Sequence, residues 1–129
     1  AAVREQLAKG LFNAFSDAGK VGDSERARVL ITELLDLANR YAEEAVQEAA
    51  QRAVLTYGAS LLALMRSGDT NRGKEGMRQI EAQMPGSLAA FVRPLRLAVD
   101  VLEKGEEQAL AREPEEVRRV VRMLMEETG

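Results

Sequence analysis

Two stretches decide how this chain is read: Gly22–Ile31, GDSERARVLI, and Gly68–Met77, GDTNRGKEGM. Each begins Gly-Asp-Ser/Thr and places an arginine at the same offset, Arg26 or Arg72. A small residue follows (Ala27, Gly73), and then a cation (Arg28, Lys74). The copies lie 46 positions apart (68 minus 22). Glycine is the usual residue for the left-handed turn that ends a helix, and Asp, Ser or Thr caps the helix that follows. Both segments therefore read as the turn and second helix of a helix–turn–helix unit that occurs twice.

Working outward, Val3, Leu7, Leu11, Phe12 and Phe15 recur every three or four positions and predict an amphipathic helix before the first turn. Ala27, Leu30, Ile31, Leu34, Leu35 and Ala38 form the buried stripe after it. No Gly or Pro occurs between Asp23 and Tyr57. One helix from residue 24 to 66 would be about 65 Å long, more than a compact domain of this size spans. A break is therefore expected near Asn39-Arg40, with Asn as the best left-handed residue available. Beyond Gly68 a shorter helix reaches Met84 with Met77 and Ile80 inward. Its Gly73 and Gly76 fit either a close helix contact or a weak helix. MPGS breaks the chain, with Ser87 as the next cap. The helix after it contains Pro94, which predicts a kink or restart. Glu106–Ala111 reads as a short helical turn. Pro114 suits the start of a last helix carrying Val117, Val120, Val121 and Leu124. The expected fold is all-α, a single domain over 1–129: about six antiparallel helices in three hairpins, approximately 2–40, 41–85 and 86–128.

The 129 residues are 46% apolar and 30% charged, with three prolines, which suits one folded helical domain and not a disordered chain. With no His and no Cys, the chain lacks the commonest general base, metal ligand and thiol nucleophile. A non-catalytic role without cofactor or metal is expected. Net charge is −3 and no basic block occurs, so nucleic acid is a poor partner. No apolar run is long enough to span a bilayer, so no membrane insertion is expected. Nothing indicates a compartment. The chain opens on AAVREQL without an initiator Met, as a processed protein or an excised domain would.

The second hairpin resembles a tetratricopeptide (TPR) repeat. Tyr57 takes the place of the family's aromatic residue, Gly68 its turn, Gly73 its small residue, Met77 and Ile80 its large apolar positions, and Pro85 its closing proline. Phe91 stands 34 residues after Tyr57 (91 minus 57), one family period further. Gly22, Ala27, Ile31 and Leu34 fit similarly in the first hairpin. The departures are Ser60-Leu61 in place of Leu-Gly, a turn spacing of 46 that suits HEAT-like repeats better than the roughly 34-residue TPR period, and Pro94 within the third unit. The resemblance implies a scaffold that binds a protein or peptide in an apolar groove lined by the first helix of each hairpin. Its partner-facing residues would be Leu55, Gly58, Leu62, Met65 and Arg66, joined by Lys9, Phe12, Ser16 and Lys20 in the first hairpin. Tyr57, Leu61 and Leu64 would face neighbouring helices. Phe12, Ser16 and Ala59 occupy places where the family's clamp for acidic tails needs Asn and Lys, so a hydrophobic segment or amphipathic helix is the better ligand.

Arg93 stands apart as the least paired cation of the third hairpin and is a further candidate for partner binding. Arg112, Arg118, Arg119 and Arg122 read instead as a solvated helix face, with Glu115–Arg119, Arg122–Glu126 and Arg118–Glu115 as pairs. Met123 and Met125 widen the apolar stripe of the last helix. They bear on the alternative function: a structural all-α subunit that self-associates, as a homo-oligomer, or sits in a larger complex without a ligand groove.

Overall fold

The computed structural model describes residues 2–84 and 86–128. The side chains of Ser87, Ala90, Phe91, Glu127 and Thr128 lie outside that description, as does Pro85. The fold is all-α, with no strand among the described residues. Seven helices follow in order: α1 (Ala2–Lys20), α2 (Ser24–Arg40), α3 (Glu44–Arg66), α4 (Thr70–Gln83), α5 (Ala89–Lys104), α6 (Glu106–Leu110) and α7 (Glu115–Thr128). The seventh arises because α6, expected as a single turn, forms a helix of its own. A 3-10 turn at Gly86–Leu88 leads into α5 and puts Leu88, not Ser87, at its cap position. Helix α5 runs through Pro94 without a restart.

The two Gly-Asp turns share one hydrogen-bond pattern. Gly22 and Gly68 have φ of 75° and 105°. The Asp23 N–H donates to the Ala18 carbonyl and the Gly22 N–H to Gly19; the Asp69 N–H donates to Leu64 and the Gly68 N–H to Met65. Both are Schellman closures, which need a left-handed residue at the glycine and satisfy the last carbonyls of the first helix. Asp23 then caps α2 through its side chain, accepting from the Arg26 N–H at 3.2 Å. Asp69 makes no such cap bond and pairs with Arg72 at 3.4 Å instead.

The break between α2 and α3 falls at residues 41–43, within two positions of the expected one, but by another mechanism. Among the described residues no non-glycine has positive φ, so Asn39 is not left-handed. Tyr41 is extended (φ −131°, ψ 128°). The Gln47 side-chain amide donates to the carbonyls of Ala38 (2.8 Å) and Tyr41 (3.0 Å), supplying partners that the end of α2 would otherwise lack. Arg4 of α1 lies 4.3 Å from the Tyr41 ring centre and pairs with Glu43, which fixes the linker from outside.

Helix α3 is the hub and packs against α1, α2, α4, α5 and α7. Its close neighbours need glycine. A Cβ on Gly58 would lie 2.4 Å from Leu95 Cδ1 of α5, and one on Gly76 of α4 would lie 2.5 Å from Leu61 Cδ2. The glycines of α4 thus permit close helix contact, which resolves the choice left open by the sequence. Val46, Ala50, Ala53, Val54, Leu61 and Leu62 of α3 join Leu34, Leu35, Leu95 and Val121 in one continuous core, and among the described residues no polar side chain is buried.

Candidate functional site

Helices α2 and α4 touch over only a short stretch. At that end Asn39 donates a hydrogen bond to the Gln83 carbonyl at 3.0 Å. Toward the two Gly-Asp turns an apolar cleft of about 790 Å³ opens between the hairpins. Its floor is Phe15 of α1 with Tyr57, Leu61 and Leu64 of α3, and Ala27 and Gly76 line its walls. The Phe15 and Tyr57 rings meet edge to face, 6.2 Å between centres and 74° between planes. Small side chains keep the cleft open: Ser16, Gly19, Ser24, Thr56 and Ser60 stand where larger ones would fill it.

Charged groups ring this floor. Lys20, Glu25 and Arg28 come from the first hairpin, Arg72 and Glu75 from the second. Arg28 donates to Glu25 at 2.5 Å, and this hydrogen bond raises the Arg28 pKa further above its ordinary value. Arg78 forks onto both Glu75 oxygens (3.1 and 2.5 Å) and holds that carboxyl below its usual range. Burial pushes the Tyr57 phenol above its ordinary pKa, opposed in part by the positive charge of nearby Arg28. Among the described residues Lys20 has no ion-pair partner.

The residues proposed from sequence are distributed otherwise than expected. Leu62 is 0% exposed, Met65 6%, and Gly58 is closed off by Leu95, so these three belong to the core and not to an open groove. The reason is that α3 is enclosed on several sides at once. Leu55, at 37% exposure, and Arg66 remain accessible. Lys9 pairs with Glu5, and Phe12 is half-buried with the Arg52 guanidinium 4.7 Å from its ring centre. Ser16 and Lys20 do line an opening, the cleft between the hairpins. Tyr57, Leu61 and Leu64, expected only to contact neighbouring helices, form the cleft floor. The closing proline of the second unit, Pro85, and the side chain of Phe91 fall outside the described residues.

Arg93 is not unpaired: it donates to Glu113 at 2.6 Å, a partner 20 residues away. Nor do the three pairs expected on α7 form. Arg122 bridges to Glu106 (2.8 Å) and Glu115 (3.4 Å). Arg118 donates to the carbonyls of Glu113 and Ala111, clasping the loop before α7. Arg118 and Arg122 thus tie the third hairpin together through partners other than those expected.

A second groove, about 530 Å³ between α4 and α5, is lined mainly by charged side chains and crossed by Lys74–Glu103 (3.0 Å) and Arg96–Glu81 (3.6 Å). The ion pairs that cross it leave the first cleft as the better ligand site. Among the described residues no three His, Cys, Asp or Glu side chains gather as metal ligands, and no helix is long and apolar enough to cross a membrane. Comparison of the chain with family models, curated proteins and solved structures found no match.

Proposed function

We propose that this chain is a non-catalytic interaction module that takes a peptide segment or partner helix in the cleft between its first two hairpins. The observation that carries the reading is a cleft of about 790 Å³ in which the half-buried Tyr57 and Leu64 lie beside the buried Phe15 and Leu61. Pockets of this size and lining are the usual places for specific ligands. The order of helix contacts supports a TPR-like array: α1 meets α3, α3 meets α5, and α2 and α4 lie beside them. The arrangement departs from a simple array where α7 reaches back to α3.

Ser60→Trp tests the reading. Ser60 is exposed and donates to the Tyr57 carbonyl of its own helix, so the new ring enters the cleft without disturbing the core. Peptides selected on the protein from a displayed random library should lose binding to this variant while its melting temperature stays unchanged. Selected peptides that bind the variant as well would place the binding surface elsewhere. The alternative, a self-associating helical subunit, draws on exposed Val3 and Leu7 of α1 and Val120 and Met123 of α7. Sedimentation equilibrium decides it.

A further inference from the structure

The charged rim of the cleft is not balanced in what it has left to offer. Both oxygens of Glu75 are taken by Arg78, which stands outside the cleft, and Gln79 donates to one of them as well at 3.4 Å. The Oε1 of Glu25 is taken by Arg28 through one guanidinium nitrogen, Nη2, and a guanidinium carries five N–H donors. Arg72 reaches Asp69 at 3.4 Å, and that carboxylate also lies outside the cleft. Among the described residues Lys20 pairs with no acid. Of the two rim acids Glu75 is the more fully engaged, Glu25 keeps its second oxygen, and Lys20, Arg28 and Arg72, three cations against two carboxylates, keep donors and positive charge. Arg28, Glu25 and Arg72 all act on the Tyr57 hydroxyl group electrostatically from the same cleft, Glu25 opposing the two arginines. A chain of net charge −3 therefore presents a donor-rich rim around an apolar floor.

We infer that the cleft selects an amphipathic helix of a partner protein that carries an Asp or Glu beside its apolar anchors, the carboxylate seating among Lys20, Arg28 and Arg72. This rests on the reading of the cleft as a peptide site. A helix is the fitting shape because the floor is made of side chains and offers no strand edge to extend. The cleft follows α3 from Thr56 to Leu64, nine residues and about 12 Å, which matches roughly two turns of a docked helix. Apolar side chains of the docked helix would meet Tyr57 and Leu64, and the acid would project from the flank. A carboxylate so placed replaces exposed and individually weak ion pairs with charge-assisted hydrogen bonds at the edge of a water-excluding floor.

The test uses the whole chain and a displayed random library of peptides about twelve residues long, roughly three helical turns. Selected peptides blocked by Ser60→Trp should share an Asp or Glu next to apolar residues spaced by three or four. Replacing that acid with Asn or Gln should weaken binding roughly tenfold, the scale of one charged hydrogen bond. The loss should shrink to near nothing on Lys20→Gln/Arg72→Gln, whose changes touch only exposed side chains. Lys20→Glu/Arg72→Glu should turn the selection toward Lys- or Arg-bearing peptides. Peptides that Ser60→Trp blocks but that show no acid preference would overturn this inference and leave the cleft reading intact. Failure to select any peptide that Ser60→Trp blocks would overturn both. Binding of decanoate at the cleft without any peptide would overturn the choice of a protein ligand.

Discussion

Gly73 of α4 lies directly against Met65 of α3: a Cβ built on Gly73 would stand 2.4 Å from the Met65 Cγ and 2.8 Å from the Leu61 carbonyl oxygen. The side chain can move, but the carbonyl belongs to the helix that anchors the whole core. Gly73→Ala should therefore destabilise by about 1–3 kcal/mol through overpacking, although alanine is the better helix former by about 1 kcal/mol. Gly10 is the control. It is an exposed helical glycine with nothing within 4 Å of the added Cβ, so Gly10→Ala should stabilise by about 0.5–1 kcal/mol. Urea unfolding of the two variants measures both signs. Stabilisation by both would mean that α3 and α4 are further apart than described.

What could be read from the sequence was what local chemistry controls. The two turns were legible because a left-handed glycine followed by a capping Asp is a complete signal within a few residues. The buried stripe of α2 was legible by its period, while in α1 and α7 the same period also picked out Val3, Leu7 and Val120, which are exposed. Other features depend on partners remote in sequence. Gln47 ends α2 from within α3, and no propensity scale announces that. The partner of Arg93, Glu113, arrives from beyond α6, far outside the one-turn range over which ion pairs are legible in a sequence. The cleft arises because α2 and α4 separate toward their turns, a property of how hairpins pack. Its sequence trace is faint: small residues at helical spacing, Thr56 and Ser60 on α3 and Ser16 and Gly19 on α1.

The equivalence of the two turns is itself testable. Gly22 and Gly68 have positive φ, at 75° and 105°, with open space where a side chain would go. Substitution is thus opposed by backbone conformation alone. Gly22→Val and Gly68→Val should each destabilise by roughly 1–2 kcal/mol. The turns are distant in sequence and share no hydrogen bond, so the double variant should be additive within about 0.5 kcal/mol. Thermal unfolding followed by circular dichroism gives all three values. An unchanged melting temperature for either single variant would show that its glycine has ordinary geometry.

The break at residues 41–43 sets a distance. Glu25 and Ser60 both line the cleft. Were 24–66 one straight helix, these residues would lie about 52 Å apart, 35 residues at 1.5 Å each. In adjacent antiparallel helices the backbones should instead be on the order of 10–15 Å apart. Spin labels at the two positions distinguish these values in a pulsed dipolar measurement. Gln47→Ala, which removes the amide from the Ala38 and Tyr41 carbonyls, should keep the short distance and lower the melting temperature.

The sharpest contrast within α3 is between Leu62 and Leu55. Seven residues apart, they sit nearly in line on the helix, two turns from one another. Yet Leu62 is 0% exposed and Leu55 is 37% exposed. Periodicity therefore gives them the same role, while the packing around α3 gives them opposite ones. A carboxylate at Leu62 would be buried without a partner, because among the described residues no buried side chain is polar. Leu62→Glu should cost several kcal/mol, as should Leu61→Glu, since Leu61 is 3% exposed and fills the space over Gly76. Leu55→Glu keeps its charge in water and should cost only about 0.5 kcal/mol or little more. Guanidinium unfolding of the three variants ranks them. A folded, stable Leu62→Glu protein would show that the turn of α3 around Leu62 is open to solvent. That result would restore the face holding Leu55 and Arg66 as a candidate binding surface.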